Sequence, residues 1–434
     1  MAHPWPIDLP ISVDEIQAIH TARKRLAVTR ALQAPFMAPR LKGIDVDRLD
    51  DPDEWRKIPL LTKDELRTLP SDVFRRDFCI ERPETAVEYW RSGGATGKPL
   101  FYPRSQEDMD VALGVAFRRI WPCIGAKAAD TVHVSFPMGI HPVGQLTPRS
   151  AEMEGIGTVW AGAGTTTPSA VQVRLIQELR PTILAAMPSY ALHLANVARL
   201  EGIDLASGSV KKLLMSAEPL TPAKREKLER EWNATVYNSF GMTEGSMIAV
   251  ERDGIGGGMV AFGDLYFLEV IEPSTGEPVA DGDVGALVMT PLWSNTVTPF
   301  LRWLTGDMVR LVSQPRTDDP FSVFPILDHA LRTEGFFKVR GVNINHGDLE
   351  DFMFAREEVT DFRAEAVTVD GIDRLRLLIE LREGQDRTRA EALAAALKLT
   401  FEVAAEIEIL PAGTIAKEFE SSVKAPRFVD RRND

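Results

Sequence analysis

The sequence predicts an α/β protein with a large N-terminal domain and a small mobile α+β domain at the C-terminus, and three observations carry that expectation. At 434 residues the chain is longer than one hydrophobic core usually serves. Between about 105 and 250, strand-like apolar runs alternate with helical patterns, a βαβ rhythm that implies parallel sheets flanked by helices. Beyond a charged, glycine-containing segment at 332–350 the pattern starts again as strand, strand, helix and strand. The boundary is therefore drawn as a domain over 1–331, a hinge at 332–335 and a domain over 336–434.

The elements follow in order. A helical pattern covers Val13 to Ala34, and Thr62 with Glu65 three residues on forms a capping box for a short helix inside IPLLTKDELRTLP. AVEYW at 86–90 reads as a strand. Thr167 and Pro168 suit the cap and first position of a helix whose Val171, Leu175, Ile176 and Leu179 share one face. Strands at 182–187, 210–216 and 234–239 then alternate with helices from Ser189 and from Pro222. LYFLEVI (265–271), a PSTGEP turn and GALVMTPL (285–292) mark a β-subdomain between about 260 and 312. In the last domain strands are expected at 364–369, 375–382 and 406–410, with a helix at 388–403.

Composition narrows the function classes. With 44% apolar and 26% charged residues the chain has enough material for a substantial core. A formal charge of −13 argues against a coat for nucleic acid or anionic membrane and leaves small molecules as the expected partners. Cys79 and Cys123 lack metal-ligand spacing and read as inert thiols in a reducing compartment. No basic segment leads into an apolar one at the start, and no apolar run reaches the roughly 20 residues of a bilayer span, so a cytoplasmic protein is expected.

Several polar segments carry chemistry. RSGGATGKPL (91–100) combines glycines, hydroxyls and Lys98 after a strand, so that converging N–H groups and one ammonium could cradle phosphate. It is not a Walker loop, since Ser92 and Pro99 occupy two of that pattern's defining positions. In YNSFGMTEGS (237–246), Glu244 beside Thr243 offers a hard oxygen ligand of the kind Mg²⁺ takes together with substrate phosphates. RWLTGDMVRL (302–311) puts Asp307 at a glycine turn, where a carboxylate can accept both hydroxyls of a ribose. Arg332, Lys338 and Arg340 add cations for phosphate or ribose oxygens, and Lys424 lies in a basic tail. Taken singly, each also has a plain reading as a surface turn, a solvated loop charge or a charged end.

Together and in this order the segments resemble the adenylate-forming superfamily of acyl-CoA synthetases and adenylation domains, most closely its phenylacetate–CoA ligase branch. SGGATGKP, SAEP (216–219), SFGMTE, RWLTGD, RGVN (340–343) and VKAPR stand where that branch reads SSGTTGKP, a GAEP-like turn, YGxTE, YRTGD, RGVN and a GKAKR-like lysine. The resemblance covers nearly the whole chain. It implies an ATP- and Mg²⁺-dependent ligase that joins a carboxylic acid to AMP, releases pyrophosphate and passes the acyl group to the thiol of coenzyme A.

Residue by residue, it implies that Ser92, Gly93, Gly94, Thr96, Gly97 and Lys98 hold the β and γ phosphates. Ala217, Glu218 and Pro219, with Tyr237, Asn238 and Ser239, flank the adenine, while Asp307 and Arg332 serve the ribose. Thr243 contacts the α-phosphate, Glu244 holds Mg²⁺, and Lys424 disperses charge during adenylation. A turn about Glu334 and Gly335 then withdraws Lys424. Phe136, Met138, Ile140, His141, Phe240 and Gly241 shape the acyl pocket, which suits an aromatic acid. Benzoate-like, arylacetate-like and alicyclic acids all stay open. So do a carrier-protein phosphopantetheine as acceptor, a catalytically silent ligand-binding homologue, and a homodimer of the kind relatives often form. The chain departs from the branch at Gly93 and Ala95, which lack usual hydroxyls, and at Glu334, Gly335, His346, Ser422 and Val423.

Overall fold

The computed structural model describes residues 5–80, 85–92, 99–253, 257–332, 336–340, 342–369, 372–385, 387–420 and 426–432. By internal packing the chain forms two compact units. One comprises 1–130, 138–158 and 237–333, the other 131–137, 159–236 and 334–434.

The first unit opens with a helix over Val13–Ala31 that stops short of the expected Ala34, because Pro35 disfavours helical backbone at the residue before it. The capping box at Thr62 forms as expected: the Glu65 N–H donates to Thr62 Oγ1 (3.3 Å), and the Thr62 N–H donates to Glu65 Oε2 (2.9 Å). Glu88–Arg91 pairs antiparallel with Phe101–Arg104, so the glycine-rich segment is the connection of a hairpin. The β-subdomain is an antiparallel run ordered Tyr266–Ile271, Gly285–Pro291, Trp303–Val312, Ile326–Arg332, Met259–Ala261, Ser246–Val250 and Thr235–Met242. Arg119 and Asp264 lie fully buried within this unit as a bidentate ion pair with two contacts of 2.7 Å.

In the second unit Lys212–Met215, Ile183–Ala186 and Thr131–Val134 are parallel neighbours, as the βαβ rhythm requires. The helix expected at Thr167 and Pro168 spans Ser169–Leu179 with Pro168 at its cap. Its buried face is Ser169, Gln172, Val173 and Ile176, whereas Val171 and Leu179 are about half exposed, at 43% and 52%. Gln172 enters the core because its amide is satisfied there. Its Nε2 donates to Gly162 O and Thr167 O (both 2.8 Å), and its Oε1 accepts from the Ser135 hydroxyl (2.7 Å). Apolar periodicity cannot register a buried glutamine of this kind.

The C-terminal sheet is ordered Ala405–Leu410, Ile372–Leu381, Val359–Val369 and Phe428–Asp430. The second of these expected strands runs over Ile372–Leu381, and the one expected at 364–369 begins earlier, at Val359. Its charged start, VTDFR, is paid in partners: Asp361 faces the buried Arg427 guanidinium and Arg363 pairs with Glu418 at 2.5 Å. In the same unit Lys224 reaches Glu350 (2.8 Å) and Lys227 Nζ donates to Val359 O (2.6 Å), which fastens helix Pro222–Trp232 to the C-terminal residues.

No helix among the described residues is long and apolar enough to cross a membrane. Cys79 and Cys123 are buried, and burial pushes both thiols up to about 12. Both therefore stay protonated at pH 8, and a disulfide-exchange reagent such as DTNB is expected to label the native protein slowly and both thiols promptly once it is denatured.

Candidate active site

The first unit contains the acidic part of the site. Thr243, Glu244 and Gly245 form the tip of the hairpin between Thr235–Met242 and Ser246–Val250, which closes with Met242 opposite Ser246. Space for a side chain is short here. A Cβ on Gly245 would lie 2.7 Å from Met289 Sδ, and one on Gly241 would lie 2.6 Å from Ser246 O. Three side chains hold the tip by its carbonyls. Arg104 Nη2 donates to Thr243 O (2.5 Å), Asn295 Nδ2 donates to Glu244 O (2.5 Å), and the Tyr266 hydroxyl donates to Gly245 O.

The Glu244 carboxylate is buried, with the Tyr102 hydroxyl donating to Oε1 at 2.9 Å and Lys63 Nζ standing 3.2 Å from the same oxygen. Burial first, and then the Glu244 charge, pushes the Tyr102 phenol well above its ordinary value, so it acts as a donor. The described residues contain no cluster of three or more His, Cys, Asp or Glu side chains able to cage an ion. A lone hard carboxylate at a rigid tip fits Mg²⁺, which takes one or two carboxylates and completes its shell with water and substrate phosphates.

Asp307 is only 5% exposed and does not sit at a turn. It lies inside the continuous strand Trp303–Val312, where Ala286 opposes Met308 but Val288 opposes Leu304, a bulge that includes Thr305, Gly306 and Asp307. Gly306 takes φ +85° there, which a β-bulge accommodates without ending the strand. His329 Nε2 lies 3.3 Å from Asp307 Oδ1, and the His329 ring is 5.5 Å from that of Phe240. Arg332 pairs with Asp307 across the strands, and its side chain lies outside the described set.

Tyr237, Asn238 and Ser239 lie on the strand leading to the Glu244 tip. The Tyr237 hydroxyl donates to Asp253 Oδ1 (2.6 Å), and the Asn238 N–H donates to Glu251 Oε2 (2.8 Å). Ser92 closes the base of the glycine-rich connection. Its N–H donates to Leu100 O (2.9 Å), and its Oγ accepts from the Leu100 N–H (3.1 Å). Gly93, Gly94, Thr96, Gly97 and Lys98, the Glu334 and Gly335 expected at a hinge, and Lys424 lie outside the described residues. Of the residues expected at the acyl pocket, this unit holds Met138, His141, Phe240 and Gly241, which are half-buried, and Ile140, which is 41% exposed and whose carbonyl accepts from the Arg91 N–H (3.1 Å).

The second unit holds Phe136, which is buried, and the SAEP turn. Ala217 adopts φ +69°, an uncommon conformation for a residue with a Cβ and one that marks a constrained turn. Glu218 accepts from the Ser189 N–H (3.0 Å) and hydroxyl (2.7 Å) at the start of helix Pro188–Leu200, where the helix dipole favours a carboxylate. Pro219 O accepts from Lys224 Nζ at 3.0 Å.

Motif reading missed Lys63, Tyr102, Arg104 and His329. Lys63 was visible only as the first residue after a helix cap, and Tyr102 and His329 lie in strands with no motif of their own. The sequence pattern of the AMP-binding enzyme family matches residues 51–291, more than half of the chain.

The chain belongs to the AMP-binding enzyme family.

This AMP-binding enzyme is 28% identical to a phenylacetate-coenzyme A ligase of Escherichia coli K12, over 97% of this chain and 96% of that one. It is 30% identical to a phenylacetate-coenzyme A ligase of Aromatoleum evansii, over 99% and 98% of the two chains. Among solved structures it matches 2-hydroxyisobutyryl-CoA ligase in complex with an acyl-AMP at a TM-score of 0.84 and 23% identity, over 98% of this chain and 91% of that one. That likeness establishes the adenylate-forming fold expected from the order of the motifs.

Proposed function

We propose that this AMP-binding enzyme is an AMP-forming acid–thiol ligase that uses ATP, Mg²⁺ and coenzyme A, with an aromatic acid, aryl or arylacetic, as substrate. The observation that carries the reading is the 30% identity to a phenylacetate-coenzyme A ligase over 99% of the chain. The aromatic class rests on that relationship and on the apolar Phe136, Met138, Ile140 and Phe240.

In the first half-reaction a substrate carboxylate oxygen attacks the α-phosphorus of ATP in line. The new P–O bond replaces the bond to pyrophosphate, and an acyl-adenylate results. The glycine-rich connection, with Ser92, Thr96 and Lys98, holds the β and γ phosphates, while Thr243 contacts the α-phosphate. Asp307 takes the ribose hydroxyls, assisted by Arg332, and residues of the SAEP turn and of Tyr237–Asn238–Ser239 serve the adenine. Mg²⁺, held by Glu244, supplies neutralisation of the phosphate charge when bound. Lys424 adds a further positive charge near the α-phosphate. In the second half-reaction the thiol attacks the acyl carbonyl and AMP leaves, after residues 336–434 turn about Glu334 and Gly335, release the Lys224–Glu350 and Lys227–Val359 contacts and withdraw Lys424. A homodimer belongs to the same proposal, and a carrier-protein phosphopantetheine is the alternative to coenzyme A as acceptor.

The loop substitutions Gly93 and Ala95 favour a second reading, a silent homologue that binds its acid without turnover. ATP-dependent pyrophosphate release against a panel of aromatic and alicyclic acids, with and without coenzyme A, separates the readings. Release with an acid and an acyl-CoA product when coenzyme A is added is the expected result. Release without that product identifies another acceptor, and no release across the panel supports the silent homologue.

A further inference from the structure

The surroundings of Glu244 are more constrained than a metal carboxylate needs merely to be present. Tyr102 is fully buried and fixed by aromatic contacts, with its ring 5.4 Å from Phe300 and 6.0 Å from Phe74. The backbone that carries Lys63 is fixed as well. Lys63 follows Leu61, whose N–H donates to Arg302 O (3.0 Å) and whose carbonyl accepts from Leu304 N–H (2.9 Å), and it begins the helix capped by Thr62 and Glu65. Arg40 ties Glu65 down in turn, at 2.8 Å. A neutral donor and an ammonium thus converge on Oε1 of one carboxylate.

We propose that Tyr102 and Lys63 are positioning residues for Glu244, engaging Oε1 so that Oε2 is presented to the divalent cation, with opposite effects on how tightly that cation is held. This rests on the function proposed above and goes beyond it in assigning two further residues. The phenol orients the carboxylate without adding charge. The Lys63 ammonium orients it as well, but repels a second cation across a few ångströms. Glu244 alone would then be a weak site, and a nucleotide's phosphates would supply further oxygen ligands to a bound cation and offset the repulsion.

The test is binding of Mn²⁺, followed by electron paramagnetic resonance, in the presence of the non-hydrolysable α,β-methylene analogue of ATP. Tyr102→Phe is expected to weaken Mn²⁺ binding about tenfold, the size typical of a lost partner to a metal ligand. Lys63→Gln is expected to tighten it about threefold, in keeping with a part-exposed charge, and Lys63→Arg is expected to restore wild-type affinity. Lys63 is part-exposed, so its arm stands even if Tyr102→Phe fails to fold. Unchanged or weakened affinity in Lys63→Gln, or unchanged or tightened affinity in Tyr102→Phe, overturns the proposal. Wild-type protein that binds no Mn²⁺ with the nucleotide overturns the proposed function instead.

Discussion

Lys424→Ala is expected to slow pyrophosphate release by about 10²–10³-fold, the usual loss when one preorganised group facing transition-state charge is removed. The attacking carboxylate and the triphosphate are both anionic, so the adenylation barrier contains a large repulsive component that a lysine near the α-phosphate offsets. Thioester formation starts from an acyl-adenylate whose pyrophosphate has already left, and the proposed turn takes Lys424 away before the thiol arrives. Thioester formation from a supplied acyl-adenylate is therefore expected to be nearly unchanged in the variant. Single-turnover measurement of the two half-reactions separates these contributions, and an equal loss in both would refute the assigned role.

Glu244→Gln is expected to raise the Mg²⁺ concentration needed for half-maximal adenylation by about 10–100-fold. The amide keeps the size of the carboxylate, and its oxygen remains able to accept from Tyr102. What disappears is the negative charge that attracts the cation and balances Lys63. Titrating Mg²⁺ at saturating ATP measures the change, and a curve superimposable on that of the wild type would remove Glu244 from the metal site. This experiment differs from the Tyr102 and Lys63 substitutions in deleting the ligand's charge, where those alter only its orientation and surroundings.

Much of the architecture was legible in the chain. Strand–helix alternation between 131 and 236 is a local pattern, because each apolar run must be buried on a sheet and each helix must turn one face inward. The capping box at Thr62 was equally readable, since its partners are three residues apart. Reading failed where burial depended on distant partners. Gln172 occupies the inner face of its helix because Gly162, Thr167 and Ser135 satisfy its amide, and Val359–Phe362 continues a strand because Asp361 and Arg363 find Arg427 and Glu418. Asp307 looked like a turn residue beside Gly306, but pairing on both flanks carries the strand through as a bulge.

The same distinction holds at the site. The order of SGGATGKP, SAEP, SFGMTE, RWLTGD and RGVN along one chain was enough to indicate the family and to single out Glu244 and Asp307 as candidates, because each motif is written in contiguous residues. Lys63, Tyr102 and His329 belong to no such segment. They lie 181 and 142 residues before Glu244 and 22 residues after Asp307 respectively, and become neighbours through the Leu61 bridge to Trp303, the Glu88–Arg91 hairpin and the pairing of Trp303–Val312 with Ile326–Arg332. Motif chemistry is local and is written in consecutive residues; the orientation and charge balance of a buried carboxylate come from strand register and side-chain packing, which no short stretch of sequence contains.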